Sequence, residues 1–253
     1  MAVQKLREGK TAVGTMVRMV GNPSVAVLAA NARLDFIMLD LEHGPLSLES
    51  LENVFKLGRA LGLGCFVRVP ELAKGYVSRC LDLGATGVMV PMLESVEQAR
   101  SLVHWAKYAP LGSRGFGGMG AHTGYQSVGG EATPEFMAKA NLETLTIAQI
   151  ETAQAIRDID SIAAVEGLDA LLIGPNDLAI SMGCPGDLMG ERLDRAISQV
   201  AEAAKAHGKI FGMHAPDPLT ERWLPRGLKL VMSGLDVNVI LSGFKAIAQR
   251  YKS

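Results

Sequence analysis

Apolar and polar positions follow one repeated unit along this chain. A short, β-branched or apolar run is followed by a polar or glycine-rich break and then by a segment with helical spacing. Eight runs are predicted as strands: Val13–Met19, Asp35–Leu41, Cys65–Val69, Gly87–Val90, Thr144–Ile150, Ala170–Ile173, Lys209–Met213 and Leu228–Met232. Most of them are continuously apolar, which is typical of strands covered on both faces and therefore of a parallel sheet packed by helices.

Eight segments between and after these runs have helical periodicity. They are Pro23–Arg33, Leu46–Leu61, Leu72–Leu83, Ser95–Lys107, Thr152–Val165, Leu188–His207, Pro218–Arg226 and Leu235–Tyr251. Ser47 and Ser95 suit helix N-caps, and Gly62 and Gly208 suit C-caps. Strands that alternate with helices predict an α/β fold, a single (β/α)8 TIM barrel over residues 1–253. A doubly wound open sheet is the alternative, but the first strand is not followed by its glycine-rich phosphate turn.

One long segment, Tyr108–Asn141, has neither pattern and is predicted to be irregular. It contains eight of the 28 glycines of the chain. A loop of this length in a compact domain is usually a lid or a binding loop. Its GxG spellings do not connect a strand directly to a helix, so they do not predict a dinucleotide site.

Composition excludes several classes of protein. The 25 Lys+Arg and 26 Asp+Glu residues give a net charge of −1, which argues against nucleic-acid binding, and the 48% apolar content argues against disorder. No apolar run approaches the ~18 residues of a membrane span, and the N-terminus lacks the pattern of a signal peptide. Cys65, Cys80 and Cys184 are widely spaced, which predicts unpaired thiols in a reducing cytoplasm.

The predicted barrel places two carboxylates at its functional rim, the carboxyl ends of the strands. Glu151 and Asp177 follow the fifth and sixth strands. Neighbouring strands lie ~4.8 Å apart, so the two acids could share one cation. Oxygen ligands without cysteine favour a hard ion such as Mg²⁺ or Mn²⁺. The alternative is that each acid caps the helix that follows it.

A guanidinium and an imidazole are expected at the same rim. Arg68 follows the third strand and suits a carboxylate or a developing enolate; alternatively, it forms a structural ion pair with Asp40 or Glu42. His43 follows the second strand and can serve as general base or acid near neutral pH, or it is structural.

The turn at 174–176 and the absence of lysine refine this picture. Gly174-Pro175-Asn176 opens a helix and offers backbone N–H groups to an anion, although turn geometry alone would also explain the sequence. A Schiff-base aldolase needs a lysine at the carboxyl end of a strand. No predicted strand ends in lysine, so metal-dependent chemistry is favoured over imine chemistry.

Six motifs together resemble the HpcH/HpaI family of metal-dependent class II pyruvate aldolases. They occur in family order through most of the chain: FIMLDLEHGP (36–45), FVRVP (66–70), GATGVMVPMLESVEQA (84–99), GSRGFGG (112–118), AQIET (148–152) and GLDALLIGPNDLAISMG (167–183). The resemblance implies a TIM barrel and a lyase that cleaves or forms the C–C bond of a 4-hydroxy-2-oxo acid. The products are pyruvate and an aldehyde, formed through a metal-bound pyruvate enolate.

The resemblance also implies roles for individual residues. Glu151 and Asp177 would bind Mg²⁺, Mn²⁺ or Co²⁺, and Gln149 would orient these ligands without binding the metal itself. Arg68 would contact the keto oxygen of pyruvate and stabilise the enolate. The backbone at Gly174, Pro175 and Asn176 would receive the pyruvate carboxylate. These are expectations from the family pattern.

His43 would exchange protons at the aldehyde end, paired with an aspartate that maps to Asp82. Asp82 ends a helix before the fourth strand, so it could reach a His43 only across a subunit interface. Family oligomers and the apolar stripe of the last helix predict a homo-oligomer, a trimer or a hexamer. Alternative functions are an oxaloacetate decarboxylase, an acyl-CoA lyase with the same chemistry, or a barrel that only binds a keto acid.

Overall fold

A closed barrel of eight parallel strands forms the centre of the molecule in the computed structural model, which describes residues 1–252. Each strand pairs with the next, and β8 pairs with β1. The strands are β1 (Ala12–Val17), β2 (Phe36–Asp40), β3 (Gly64–Arg68), β4 (Gly87–Val90), β5 (Leu145–Ile150), β6 (Ala170–Ile173), β7 (Ile210–His214) and β8 (Leu230–Leu235). The predicted (β/α)8 barrel is confirmed.

Twelve α-helices are found within residues 1–252. They are α1 (Ala2–Arg7), α2 (Ser24–Asn31), α3 (Leu48–Ala60), α4 (Lys74–Asp82), α5 (Val96–Ala106), α6 (Thr133–Glu143), α7 (Ala153–Arg157), α8 (Ile159–Ala163), α9 (Pro175–Ser181), α10 (Glu191–Ala206), α11 (Asp217–Trp223) and α12 (Asp236–Tyr251). Ser47 and Ser95 cap α3 and α5 as predicted, because their side chains accept backbone N–H groups. Gly62 and Gly208 follow their helices with positive φ, as C-cap glycines do.

Three differences from the sequence prediction concern helices. The single helix predicted over 152–165 is interrupted at Asp158, which separates α7 from α8. Helix α1 had not been predicted. The segment predicted to be irregular over 108–141 ends in α6, so that prediction is wrong for its last part. The glycines stop at Gly130, and Pro134 then lies in the first turn of α6, where proline is tolerated.

Side chains alternate between the inside of the barrel and the helix layer. Phe36 and Met38 of β2 belong to the inner cluster, whereas Ile37 and Leu39 pack against the helices. The rings of Phe36 and Phe66 stack inside with centroids 4.9 Å apart. Helix α1 contributes buried residues to this inner cluster at the amino-terminal end of the barrel.

The same alternation makes the carboxyl end of the barrel polar. At the ends of four strands the inward position beyond the apolar layer is a charged or amide side chain: Arg18 just after β1, Asp40, Arg68 and Gln149. Asp40, Arg68 and Gln149 are buried. Polar groups at this depth need partners, because an unpaired buried charge is strongly destabilising. These inward polar side chains at the carboxyl end of the barrel, together with the groups that pair with them, therefore define the candidate site.

Two of the three cysteine thiols lie inside the protein. All three cysteines are unpaired, and Cys65 and Cys80 are buried. Burial raises the pKa of each of these two thiols to about 12. Among residues 1–252, no helix combines the length and apolar character needed to cross a bilayer.

Candidate active site

Arg68 is held from two sides by carboxylates at the carboxyl end of the barrel. Parallel pairing of β2 with β3 places Asp40 and Arg68 in register. The Arg68 Nε donates to Asp40 Oδ1 at 2.9 Å, and Nη2 donates to Oδ2 at 2.7 Å. The remaining nitrogen, Nη1, lies 2.8 Å from Glu42 Oε2. The predicted ion pair is therefore present, and it fixes the guanidinium in one orientation.

Asp40 organises the groups around it. It is fully buried, and Oδ1 also accepts the backbone N–H groups of Glu42 and His43 at 3.0 and 3.3 Å. Burial acts to raise the pKa of Asp40, but hydrogen bonds and charge from Arg68 and a hydrogen bond from Arg18 outweigh it and lower the pKa. Asp40 is thus held as an anion that orients both Arg68 and the turn carrying His43.

Arg18 is a member of this network that the sequence analysis did not identify. Its Nε donates to Asp40 Oδ2 at 2.9 Å, so one carboxylate joins two guanidinium groups. The alternation of the strand could have identified it. Met16 is buried in the inner cluster, and Arg18, two residues later, takes the next inward position. Asp236, the first residue of α12, holds this segment by accepting the backbone N–H groups of residues 18, 19 and 20.

His43 lies at the edge of the network and is accessible. Its side chain is 55% exposed, and Nε2 lies 3.7 Å from Glu42 Oε2. Burial and the negative charges of Asp40 and Asp177 raise the pKa of Glu42 against the opposing charges of Arg68 and His43. The geometry leaves the imidazole free to meet a substrate at the rim.

Glu151 is buried beside this cluster and is oriented by two hydrogen bonds. Oε1 accepts the backbone N–H of Met92 at 2.7 Å, and Oε2 accepts a hydrogen bond from Gln149 Nε2. Met92 adopts the left-handed backbone conformation with φ 51°, which is uncommon for a residue other than glycine. The amide oxygen of Gln149 is buried and has no partner within residues 1–252.

The pKa of Glu151 reflects its burial and the negative charges of two other acids at this rim. Burial raises the pKa of Glu151 to about 7; the Met92 N–H opposes this effect, whereas the charges of Asp177 and Glu42 add to it. Neither acid acts as the predicted alternative N-cap, because Thr152 caps α7 and Gly174 occupies the cap position of α9. Asp177 is exposed in the first turn of α9.

The turn at 174–176 lies directly against Glu151. Gly174 and Pro175 are buried and Asn176 is exposed. A Cβ on Gly174 would overlap the Glu151 carboxylate, so glycine is required for this close approach. Pro175 has no N–H, but the Asn176 N–H lies in the first turn of α9, where it has no partner within the helix.

The donor set at this rim is compatible with a divalent cation. Within residues 1–252, no group of three or more His, Cys, Asp or Glu side chains surrounds a metal position. Two carboxylates suffice for Mg²⁺, which retains several water molecules and often binds substrate oxygens as well. A cation would also offset the mutual repulsion of Glu151 and Asp177, which raises the pKa of Glu151.

Asp82 and the glycine-rich loop lie at the other end of the barrel. Helix α4 runs antiparallel to the strands, so its last residue, Asp82, comes just before β4 at the amino-terminal end. Asp82 pairs with Arg114, and His122 Nδ1 lies 3.2 Å from the main-chain oxygen of Asp82. Within one chain, neither Asp82 nor this part of the loop reaches the rim that carries His43.

Comparison with known proteins places this geometry in a family. Residues 17–242 match the family described as HpcH/HpaI aldolase/citrate lyase. The chain is 35% identical to a 4-hydroxy-2-oxovalerate aldolase from Novosphingobium aromaticivorans, covering 91% of this chain and 86% of that protein. It is 32% identical to a hydroxypyruvate/pyruvate aldolase from Pseudomonas aeruginosa, covering 98% and 91%.

A solved structure shows the same relationship in three dimensions. An HpcH/HpaI aldolase from Desulfitobacterium hafniense DCB-2 superposes with a TM-score of 0.90 at 34% identity, covering 97% of this chain and 95% of that one. The expected resemblance is thereby confirmed. The chain belongs to the HpcH/HpaI aldolase/citrate lyase family, and its homologues are carbon–carbon lyases.

Proposed function

We propose that this protein is a divalent-metal-dependent aldolase that cleaves a 4-hydroxy-2-oxo acid to pyruvate and an aldehyde. The observation that carries the proposal is the Arg68 guanidinium, fixed by Asp40 and Glu42 at the barrel end that also carries the buried Glu151 carboxylate. Because Asp40 and Glu42 hold the Arg68 guanidinium in place, this positive charge needs no reorganisation when negative charge develops on an enolate. The aldolase names of similar proteins support the same reaction class.

Glu151 and Asp177 would hold the cation, Mg²⁺, Mn²⁺ or Co²⁺, and Gln149 would keep the Glu151 carboxylate oriented. A cation bound there supplies Lewis-acid polarisation of a carbonyl oxygen. The N–H of Asn176 at the start of α9 would receive the pyruvate carboxylate, since helix starts favour anions.

Arg68 and His43 would divide the remaining work. Arg68 Nη1 lies near the Glu42 carboxylate and makes no other ion pair or hydrogen bond to the described residues, so an N–H group remains for the keto oxygen. His43 would remove the proton from the 4-hydroxyl group as the C–C bond breaks, and it could return a proton in the synthetic direction. Asp82 of another subunit would orient that imidazole.

The strand ends favour this mechanism over imine catalysis. Within residues 1–252 the eight strands end in Val17, Asp40, Arg68, Val90, Ile150, Ile173, His214 and Leu235. None is the lysine that a Schiff base would need. Borohydride added with pyruvate should therefore leave the enzyme active, and inactivation would contradict the proposal.

The test is a pyruvate-release assay with a panel of 4-hydroxy-2-oxo acids. Treatment with a chelator should abolish cleavage, and Mg²⁺, Mn²⁺ or Co²⁺ should restore it; undiminished activity of the stripped enzyme would contradict the metal assignment. Decarboxylation of oxaloacetate without any aldol cleavage would favour the decarboxylase alternative, and turnover of acyl-CoA thioesters alone would favour the acyl-CoA lyase.

Glu151→Gln gives a sharper test of the same site. Glutamine retains an oxygen for the Met92 N–H but removes the charge, so the fold should persist while metal binding and cleavage are lost. Mn²⁺ titration, pyruvate release and thermal unfolding monitored by circular dichroism measure the three properties. Full activity of this variant would contradict the ligand role of Glu151.

The proposal includes assembly into a homo-oligomer, a trimer or a hexamer. Of the residues of α12, Asp236 alone is buried, and Phe244 and Ile247 are 65% and 61% exposed. Apolar side chains on a helix that remain exposed in one chain favour a contact with another copy. This contact would also provide the second chain that the Asp82 assignment requires.

A further inference from the structure

His214 is an inward-facing polar residue at the carboxyl end of the barrel that has no role in the reaction proposed above. It is the last residue of β7, and Phe211 and Met213 of the same strand pack against the helices. Alternation along the strand therefore turns His214 toward the inside of the barrel. The strand register places it level with Arg68 and Gln149 on β3 and β5, because alternate strands of a (β/α)8 barrel contribute side chains to one layer.

The strands beside β7 leave the His214 imidazole uncovered at the mouth of the barrel. The next inward residue toward the mouth is Gly174 on the β6 side and Gly234 on the β8 side, so neither strand contributes a side chain there. Gly174 and His214 directly follow the last paired residues of β6 and β7. Because neighbouring strands lie ~4.8 Å apart, the imidazole borders the turn at 174–176.

The hydrogen bond to Gly234 fixes which ring nitrogen of His214 carries the proton. Nε2 lies 3.0 Å from the Gly234 carbonyl oxygen, which can only accept, so Nε2 is the donor. Burial and the charges of Arg68 and Arg18 lower the pKa of His214 despite this hydrogen bond, so the ring is neutral near pH 7 and Nδ1 is an acceptor. Nδ1 makes no hydrogen bond to residues 1–252, and it does not belong to the side-chain atoms that are sealed from solvent without a partner. It therefore offers a free acceptor to the barrel mouth.

The position proposed for the 2-oxo acid directs its C3 carbon toward this acceptor. The carboxylate would lie at the start of α9, after β6, and the keto oxygen would lie toward Arg68 at the end of β3. Since C2 is trigonal, its third substituent, C3, points to the remaining sector of the barrel, formed by β7, β8 and β1. The inward side chains of this sector near the mouth are His214, Met16 and Arg18. Met16 is apolar and Arg18 can only donate, so His214 Nδ1 is the acceptor that faces C3.

We propose that His214 determines donor specificity by accepting a hydrogen bond from a hydroxyl group on C3 of the 2-oxo acid. The methyl group of pyruvate cannot donate and would leave Nδ1 without a partner, which costs binding free energy. The preferred 4-hydroxy-2-oxo acid would accordingly carry a second hydroxyl group at C3. This inference rests on the proposed aldolase function and refines its substrate class; His214 selects the donor, whereas Arg68 and His43 act on the reacting atoms.

The test uses hydroxypyruvate, the smallest 3-hydroxy-2-oxo acid, and pyruvate as probes of the full-length protein with saturating Mg²⁺. In calorimetric titration, hydroxypyruvate should bind about three- to tenfold more tightly than pyruvate, as one neutral hydrogen bond implies. His214→Leu removes the acceptor and should abolish this preference. His214→Asn should restore most of it, because the amide oxygen branches from Cγ as Nδ1 does. His207→Leu, a change after α10 at the opposite end of the barrel, is the matched control and should keep the preference.

The same ratio should be found in kcat/KM for the addition of each donor to glycolaldehyde, and thermal unfolding checks that each variant is folded. Equal binding of the two acids by the wild-type protein, or an unchanged preference in His214→Leu, would overturn the proposal. The wild-type protein also provides a measurement that needs no variant. The fluorine of 3-fluoropyruvate fills a similar space but cannot donate, so binding as tight as that of hydroxypyruvate would likewise overturn it.

Failure of this inference and failure of the proposed function give different results. If only the inference fails, pyruvate still binds and reacts with the aldehyde, and replacement of His214 leaves the ratio of the two donors unchanged. If the aldolase function itself fails, neither acid binds the Mg²⁺-loaded protein or adds to the aldehyde.

Discussion

Gly174→Ala tests whether the close approach of the α9 turn to Glu151 is needed for metal binding. Gly174 has φ −99° and ψ 90°, a conformation open to alanine, so the backbone does not oppose the change. The new methyl group would overlap Glu151 Oε2 and would lie 2.9 Å from Gln149 Nε2. Ordinary contact requires about 3.5 Å, so the Glu151 carboxylate must move by roughly an ångström.

That displacement is large compared with what a metal site accepts. Ligand distances in such sites are defined to about ±0.2 Å, and loss of a partner that orients a ligand costs about 10- to 100-fold in metal affinity. We therefore expect the Mn²⁺ dissociation constant of Gly174→Ala to rise by about 10- to 100-fold, equivalent to about 1.4–2.7 kcal/mol. Cleavage at limiting Mn²⁺ should fall in parallel.

Calorimetric titration with Mn²⁺ measures the affinity, and thermal unfolding of the metal-free protein checks the fold. Gly75→Ala in the first turn of α4 is the matched control, because its Cβ would meet no atom within 4 Å. The control should bind Mn²⁺ normally and be slightly stabilised, as Gly→Ala changes in compatible positions are. A Gly174→Ala protein with wild-type Mn²⁺ affinity would refute the placement of the metal beside Glu151.

Three further predictions concern charge, subunit contact and assembly. Arg68→Lys should lower kcat by about 10²- to 10³-fold, because one ammonium cannot pair with Asp40 and Glu42 in the same geometry; a change in KM alone would contradict an enolate role. His43→Ala and Asp82→Asn proteins should each be inactive, and subunit exchange between them should restore activity; no recovery in verified hybrids would contradict a pair formed across subunits. Phe244→Asp on the exposed face of α12 should reduce the mass measured by sedimentation, whereas the Gln249→Asp control should not; an unchanged mass would exclude α12 from the interface.

The barrel could be predicted from the sequence because its signal is repeated eight times. Each strand is a short apolar run buried on both faces, and each crossover contains a helical period, so an error in one unit does not change the fold class. The missed helices had weaker signals. Helix α1 has only six residues and is defined by burial of Leu6 against the barrel interior, which is a tertiary effect.

The charged rim was predictable in part for the same reason. Strand alternation places Asp40 and Arg68 at the inward end of neighbouring strands, and the same rule would have identified Arg18. Met92 could not have been found in this way. Its contribution is a backbone N–H aimed at Glu151 from a left-handed conformation, and methionine gives no sequence signal for positive φ.

The position of the glycine-rich loop restricts which segments can determine aldehyde specificity. The loop follows α5, and every segment that leads from a helix to the next strand lies at the amino-terminal end of a (β/α)8 barrel. In one chain it cannot line the rim at which His43 is 55% exposed. The half of the substrate pocket that contacts the aldehyde must therefore come from the loops after the strands or from another chain. Aldehyde selectivity measured as the oligomer dissociates into single chains would separate these two sources. If selectivity is lost when the oligomer dissociates, the pocket is assigned to a second subunit.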